Sequence, residues 1–326
     1  MAQPTVRPRF LSIAGREAPA LHLIGLFGTF GGAALLLAGL LAVAFPVVVA
    51  GLLVLGTGSL ALAGSLTLQR RADTSDAGWL GPGPVALFWL TVPWSVIAPL
   101  PAFVLLGASG PLDRLEPAAL TLVQALCSNL AVAGVLAVVV VGSGAATWRD
   151  LVAPTPAATP AHLPPPDRRG GLLGDVAWGA VLALPILAAA GALAALLVSG
   201  TGAVPPSPLP SATSLLPLLL NGITAGLIAP IGEELLYRGA IEQAWARQRL
   251  STAPRAIVFS ALLFAFAHTL NLGGSTFDEA VGIAAVSFAI RLPLGIALGW
   301  LWIRRRSLVA TIVLHAAYNL AIVATA

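Results

Sequence analysis

Long apolar runs alternate with short polar breaks along this chain. The spacing predicts membrane helices, because about 20 apolar residues rising 1.5 Å each cross a bilayer core. Residues 21–68 carry no charged side chain and hold two such spans, turning near Phe45-Pro46. A third span over 84–106 contains Pro93, Pro99 and Pro101. These prolines predict a kink or an early end, since each removes a helix hydrogen bond. A fourth span covers 118–141. Beyond it, residues 149–173 are proline-rich, with Pro154, Pro156, Pro160 and Pro164 to Pro166. Further spans follow at 176–198, 215–249, 254–270, 280–303 and 307–326. The expected fold is all-α, a polytopic membrane helical bundle of about nine transmembrane helices. An N-terminal membrane region of four helices (1–148) and a second membrane domain (174–326) flank a cytoplasmic linker, extended or disordered, at 149–173.

Composition supports this layout. The chain is 58% hydrophobic and 9% charged, against about 25% charged in soluble domains. Its net charge of +4 comes from arginine alone, spread in small clusters between apolar runs. That distribution fits membrane orientation and excludes a nucleic-acid interface. With the N-terminus inside, only Arg114 of the 17 cationic residues falls in an outer loop and only Arg291 within a span. The inner set includes Arg7, Arg9, Arg16, Arg70, Arg71 and Arg249, while Asp113, Glu116, Asp278 and Glu279 fall outside. Trp79, Trp148, Trp178, Trp245, Trp300 and Trp302 lie near inner ends, as interface anchors do; Trp89 and Trp94 do not. The first apolar run exceeds the 7 to 15 residues or so of a signal peptide, so an uncleaved anchor is expected. The single Cys127 has no partner for a disulfide and reads as packing.

Gly232-Glu233-Glu234-Leu235-Leu236-Tyr237-Arg238 sets two carboxylates and a guanidinium among apolar residues, where a helix-centre charge costs about 2.5 to 3.5 kcal/mol. Glu234 and Arg238 have the i, i+4 spacing of an ion pair. Glu233 points about 100° away and stays available. His268 and His315 lie within later apolar runs, and Asn319 shares a helix face with His315. His22 opens the first span and His162 lies in the linker, both as interfacial bystanders. Counting from Arg255 and Arg306 puts His268 and His315 near mid-membrane. Glu233 reaches that depth if its helix is centred near Ile231, in a cavity opening to the cytoplasmic side. Pro230 and Gly232 permit a kink there, and Gly222 with Gly226 a close helix approach. Such groups can hold and deprotonate a water and stabilise an oxyanion. The bland alternative is a structural ion pair plus helix-to-helix hydrogen bonds.

Glu233-Glu234-x-x-x-Arg238, Phe264-x-x-x-His268 and His315-x-x-x-Asn319, in this order, resemble the CAAX protease and bacteriocin-processing (CPBP, Abi) family of intramembrane proteases. The resemblance covers roughly residues 175–321, including Gly295-x-x-x-Gly299. It implies an intramembrane endopeptidase that hydrolyses a peptide bond of a membrane-associated or C-terminal peptide substrate. By that likeness Glu233 and His268 activate water, His315 and Asn319 bind the oxyanion, and Glu234 with Arg238 organise the site. It further implies no cofactor, with zinc on the two histidines and a glutamate as the alternative, although no His-Glu-x-x-His occurs. The expected partners are a peptide or membrane-protein substrate and the lipid bilayer, with no nucleic acid. The expected location is the inner (plasma) membrane, with the N-terminus cytoplasmic and the C-terminus outside. The four N-terminal spans and Arg291 fall outside the likeness; Arg291 either pairs with Asp278 or Glu279 or lines the cavity. A second class stays open: a non-catalytic scaffold, immunity factor or transporter that binds through the same polar cluster.

Overall fold

A computed structural model describes residues 12–13, 16–17, 19–42, 44–73, 79–110, 112–155, 160, 162–248, 251–270 and 276–324. Arg7, Arg9 and Arg249, used in the orientation count, lie outside these residues, as do the side chains of Arg16, Arg70, Arg71 and Asp113. A two-residue antiparallel pairing of Ser12–Ile13 with Arg16–Glu17 precedes the helices. The first four apolar runs form α1 (Pro19–Leu41), α2 (Phe45–Asp73), α3 (Pro84–Ile97) with α4 (Pro99–Ser109), and α5 (Pro117–Leu136). The prolines of the third run act as expected: Pro93 stays inside α3, and the helix restarts at Pro99. Proline at the first helical position needs no backbone N–H, which is why α3, α4 and α5 all begin with one.

After a short α6 (Trp148–Val152) come α7 (Gly171–Thr201) and a long composite helix over 215–246. Then follow α11 (Ala253–Ala267), α12 (Phe277–Arg305) and α13 (Leu308–Val323). The composite helix comprises α8 (Leu215–Ile223), a π-helical stretch Thr224–Ile228, α9 (Ala229–Glu234), a second π-helical stretch Leu235–Glu242, and α10 (Gln243–Ala246). Among the described residues seven helices are long and apolar enough to cross a membrane; α11 and α13 are shorter. At 15 and 16 residues these two reach about 22 to 24 Å, less than a bilayer core. All nine expected runs are thus helical, but the count of full-length spans is seven. The protein is a multi-pass membrane protein. Phe27, Leu105 and Leu184, each about 70% exposed, belong to the apolar outer surface that lipid covers.

Where described, the proline-rich linker is held against the bundle. Leu163 is buried with Ala246, Ala256, Trp302 and Leu308. The Asp167 backbone N–H donates to the Arg304 carbonyl at 2.8 Å, and Arg305 Nε donates to Asp175 at 2.7 Å. Prolines cannot supply backbone donors, so the segment is anchored by buried Leu151 and Leu163 and by the Asp167 carboxylate. Trp178 and Trp300 meet edge-on with Arg304 over both rings. Arg247, over Trp79, donates to the Ala145 carbonyl. His162 is exposed, whereas His22 is buried and bonds Ser65 at 3.1 Å, pinning α1 to α2. One buried core draws on both halves: Leu87, Phe88, Leu136 and Leu151 pack with Tyr237, Phe264, Leu298 and Leu314.

Candidate active site

The composite helix presents the glutamates where its hydrogen bonding departs from the α pattern. In the first π-helical stretch the Ala229 N–H bonds the Thr224 carbonyl, five residues back. The next donor in that register would be residue 230, and Pro230 has no N–H. The Ala225 carbonyl is therefore left open, and Asn319 Nδ2 donates to it at 2.9 Å. A Cβ on Gly226 would stand 2.6 Å from Leu320 Cδ2, so the expected close approach here is to α13. Across the helix, Asn129 of α5 sits against Gly232 and donates to the Ile228 carbonyl.

Glu234 and Arg238 form the expected pair, Nε to Oε2 at 3.2 Å, both fully buried. Arg238 also reaches Glu242 at 3.4 Å and Ser260 Oγ at 2.8 Å, and Ser260 donates to the Tyr237 carbonyl. Gly299 leaves room for Glu242, whose Oε2 would lie 3.0 Å from an added Cβ. Phe264 is the hub of the apolar side. Its ring meets those of Tyr237, His268 and His315 with centroids 5.3, 4.7 and 5.6 Å apart, and Arg238 lies over its face.

The two imidazoles are oriented by their Nδ1 atoms. His268 caps α11, with Nδ1 2.8 Å from the Phe264 carbonyl. A carbonyl only accepts, so Nδ1 carries the proton and Nε2 is left facing the cavity. His315 Nδ1 stands 2.8 Å from Glu234 Oε1 and donates in the same way. Both Nε2 atoms converge on Glu233 Oε2, at 3.8 Å from His268 and 3.9 Å from His315. That oxygen is buried and has no hydrogen-bond partner. These separations are under twice a hydrogen-bond length of about 2.8 Å, so one water can bond the carboxylate and either imidazole together.

Asn319 and these groups line one cavity of about 720 Å³. Its other wall comes from α3 and α5, with Thr91, Ser95, Gln124, Ser128 and Asn129. Residues 206–209 between α7 and α8, and Ile322 and Val323 near the C-terminus, also line it. These elements lie toward the end of the bundle opposite the linker. The linker-side floor is closed by Leu236, Tyr237, Phe264 and Leu294, all buried. Arg291 lines the cavity, within hydrogen-bonding reach of Tyr318. Among the described residues no group of three or more His, Cys, Asp or Glu is arranged to hold a metal ion.

All six residues singled out in the sequence thus surround or support one site. Glu242, Ser260 and Asn129 were not foreseen. Glu242 repeats the i, i+4 spacing one turn beyond Arg238, and Ser260 precedes Phe264 by four residues; either spacing could have found them. Nothing local marks Asn129, whose partner lies on another helix.

Residues 215–321 match the family model described as type II CAAX prenyl endopeptidase Rce1-like. The match coincides with the segment that carries the motifs, so the resemblance to the CPBP family holds there. Comparisons with curated proteins and with solved structures give no match.

Proposed function

With residues 215–321 matching a type II CAAX prenyl endopeptidase model, we propose that the protein is an intramembrane endopeptidase acting on a membrane-associated or C-terminal peptide. One observation carries the reading: two imidazole Nε2 atoms approach the same unpartnered oxygen of Glu233. A water there donates one hydrogen to Glu233 and the other to His268, which turns a lone pair toward a peptide carbonyl. As the new C–O bond forms, the proton passes to Glu233. When the C–N bond breaks, Glu233 returns it to the leaving nitrogen, giving a carboxylic acid and an amine for one water consumed. The second amide hydrogen of Asn319 serves the oxyanion. His315 joins it from Nε2 in its doubly protonated form, since Nδ1–H is committed to Glu234. Glu234 and Arg238 hold His315 in place.

No metal enters this scheme, and the protein is taken to lie in the plasma membrane with its N-terminus and linker cytoplasmic. Arginine and tryptophan gathered at the linker end support that orientation. The test uses purified protein in liposomes with a library of apolar peptides read by mass spectrometry. Cleavage that resists chelators and is lost in Glu233→Gln and His268→Ala is expected. Equal cleavage by these variants, or a phenotype retained by Glu233→Gln, returns the cluster to a binding or scaffold role.

A further inference from the structure

Arg291 stands midway along α12, about 21 Å from either end at 1.5 Å per residue. An extended arginine cannot span that distance to a headgroup, and a charge at this depth is costly unless paired. Yet among the described residues no carboxylate pairs with it. It lines the same cavity as Glu233 and His268, and it lies near enough to His268 and Tyr318 to act on both electrostatically. The cavity floor beside it is closed by buried Leu236, Phe264 and Leu294. A closed floor admits the end of a chain more readily than a strand passing through.

We propose that Arg291 forms a carboxylate-binding subsite that receives the free C-terminal carboxylate of the peptide. This rests on the hydrolase reading above and narrows it to cleavage a short distance from a C-terminus. A guanidinium is suited to the task because it meets a carboxylate through two parallel N–H donors, and such a pair strengthens away from water. The polar residues of α3 and α5 on the facing wall, Gln124 and Ser128 among them, offer hydrogen-bonding groups to the peptide backbone between the subsite and the cut. A lipid phosphate offers similar chemistry, but the depth of Arg291 argues for a group carried into the cavity by the substrate.

The experiment prepares one library of fluorescent apolar peptides in two forms, C-terminal acid and C-terminal amide. Binding and cleavage are measured for the wild type, Arg291→Gln and Arg291→Lys, reconstituted in zwitterionic liposomes and, separately, with anionic lipid added. The acid form should bind and react at least about tenfold better in the wild type, with cuts at a fixed distance from the C-terminus. Arg291→Gln should abolish the preference for the acid over the amide form, and Arg291→Lys should restore part of it. Unfolding midpoints close to that of the wild type show that the variants are folded. Equal handling of the two forms by the wild type, or a preference that survives Arg291→Gln, overturns the subsite. So does an effect of Arg291 that follows anionic lipid and not the peptide terminus. Acid-selective binding without cleavage would keep the subsite and remove the hydrolase; cleavage without selectivity would do the reverse.

Discussion

Glu234→Gln isolates the supporting carboxylate from the reacting one. Glu234 uses its two oxygens separately: Oε1 accepts from His315 Nδ1 at 2.8 Å and Oε2 from Arg238 Nε at 3.2 Å. A carboxamide keeps one acceptor and replaces the other by a donor. Arg238 cannot give up its protons, so the amide oxygen turns to Arg238 and its NH2 faces His315. Nδ1 must then accept, so His315 becomes a neutral imidazole protonated at Nε2 alone. Arg238 retains Ser260 and Glu242, so the stability loss stays near 1 to 3 kcal/mol, the range for a disturbed buried hydrogen bond. An oxyanion donor that has lost its charge should lower the rate by about 10² to 10³, the range for a disabled donor of this kind. Rates on the peptide library in liposomes, with a thermal unfolding scan, separate the two effects. Nitrogen NMR of labelled histidine reads the tautomer directly. A rate within about twofold of wild type, far short of that loss, would refute the reasoning, as would a His315 that keeps its Nδ1 proton.

Three further outcomes are expected. Gly232→Ala drives a methyl into Asn129 and should cost about 1 to 3 kcal/mol as an overpacked contact; adding Asn129→Ala should recover much of the unfolding midpoint, and no recovery would mean the clash lies elsewhere. Asn319→Leu reopens the Ala225 carbonyl, and at about 1 to 3 kcal/mol for an orphaned buried acceptor it should destabilise more than Asn319→Gln does, which paired unfolding scans will show. The third concerns acid. Bonds from the Arg169 side chain, aided by Arg304, hold the Asp167 carboxyl below its usual range. A lowered folded-state value means that the contribution is complete above the unfolded value of about 3.9 and fades as pH falls through the folded one. Hydrogen exchange of the linker should therefore rise only in strong acid, whereas Asp167→Asn should raise it at neutral pH; identical exchange in both proteins would show that the carboxylate anchors nothing.

Much of this site was legible because its signals are local. The Glu234–Arg238 pair follows from four-residue spacing, and the common depth of Glu233, His268 and His315 from counting along helices. Prolines foretold the break between α3 and α4. Three features escaped because their cause lies between helices. The contribution of α3 and α5 to the cavity depends on which faces meet, and Asn129 in an apolar run looks the same whether or not Gly232 lies opposite. The place of residues 206–209 in the cavity wall depends on how that connection folds, which hydropathy does not encode. Proline content describes backbone stiffness and says nothing of the linker's anchors, Leu163 and Asp167.

The π-helical stretches around the glutamates bear on how such a helix can change. Each wide turn is an ordinary helix carrying one surplus residue, so a single deletion within 224–228 would leave a smoother and better bonded helix. The wide turn absorbs that residue, so everything beyond it would keep nearly its present facing. The Ala225 carbonyl, however, would find a donor within the regular helix and give up its tie to Asn319. A shortening that makes this helix more regular would therefore separate the facing of Glu233, which it keeps, from the anchoring of Asn319, which it removes.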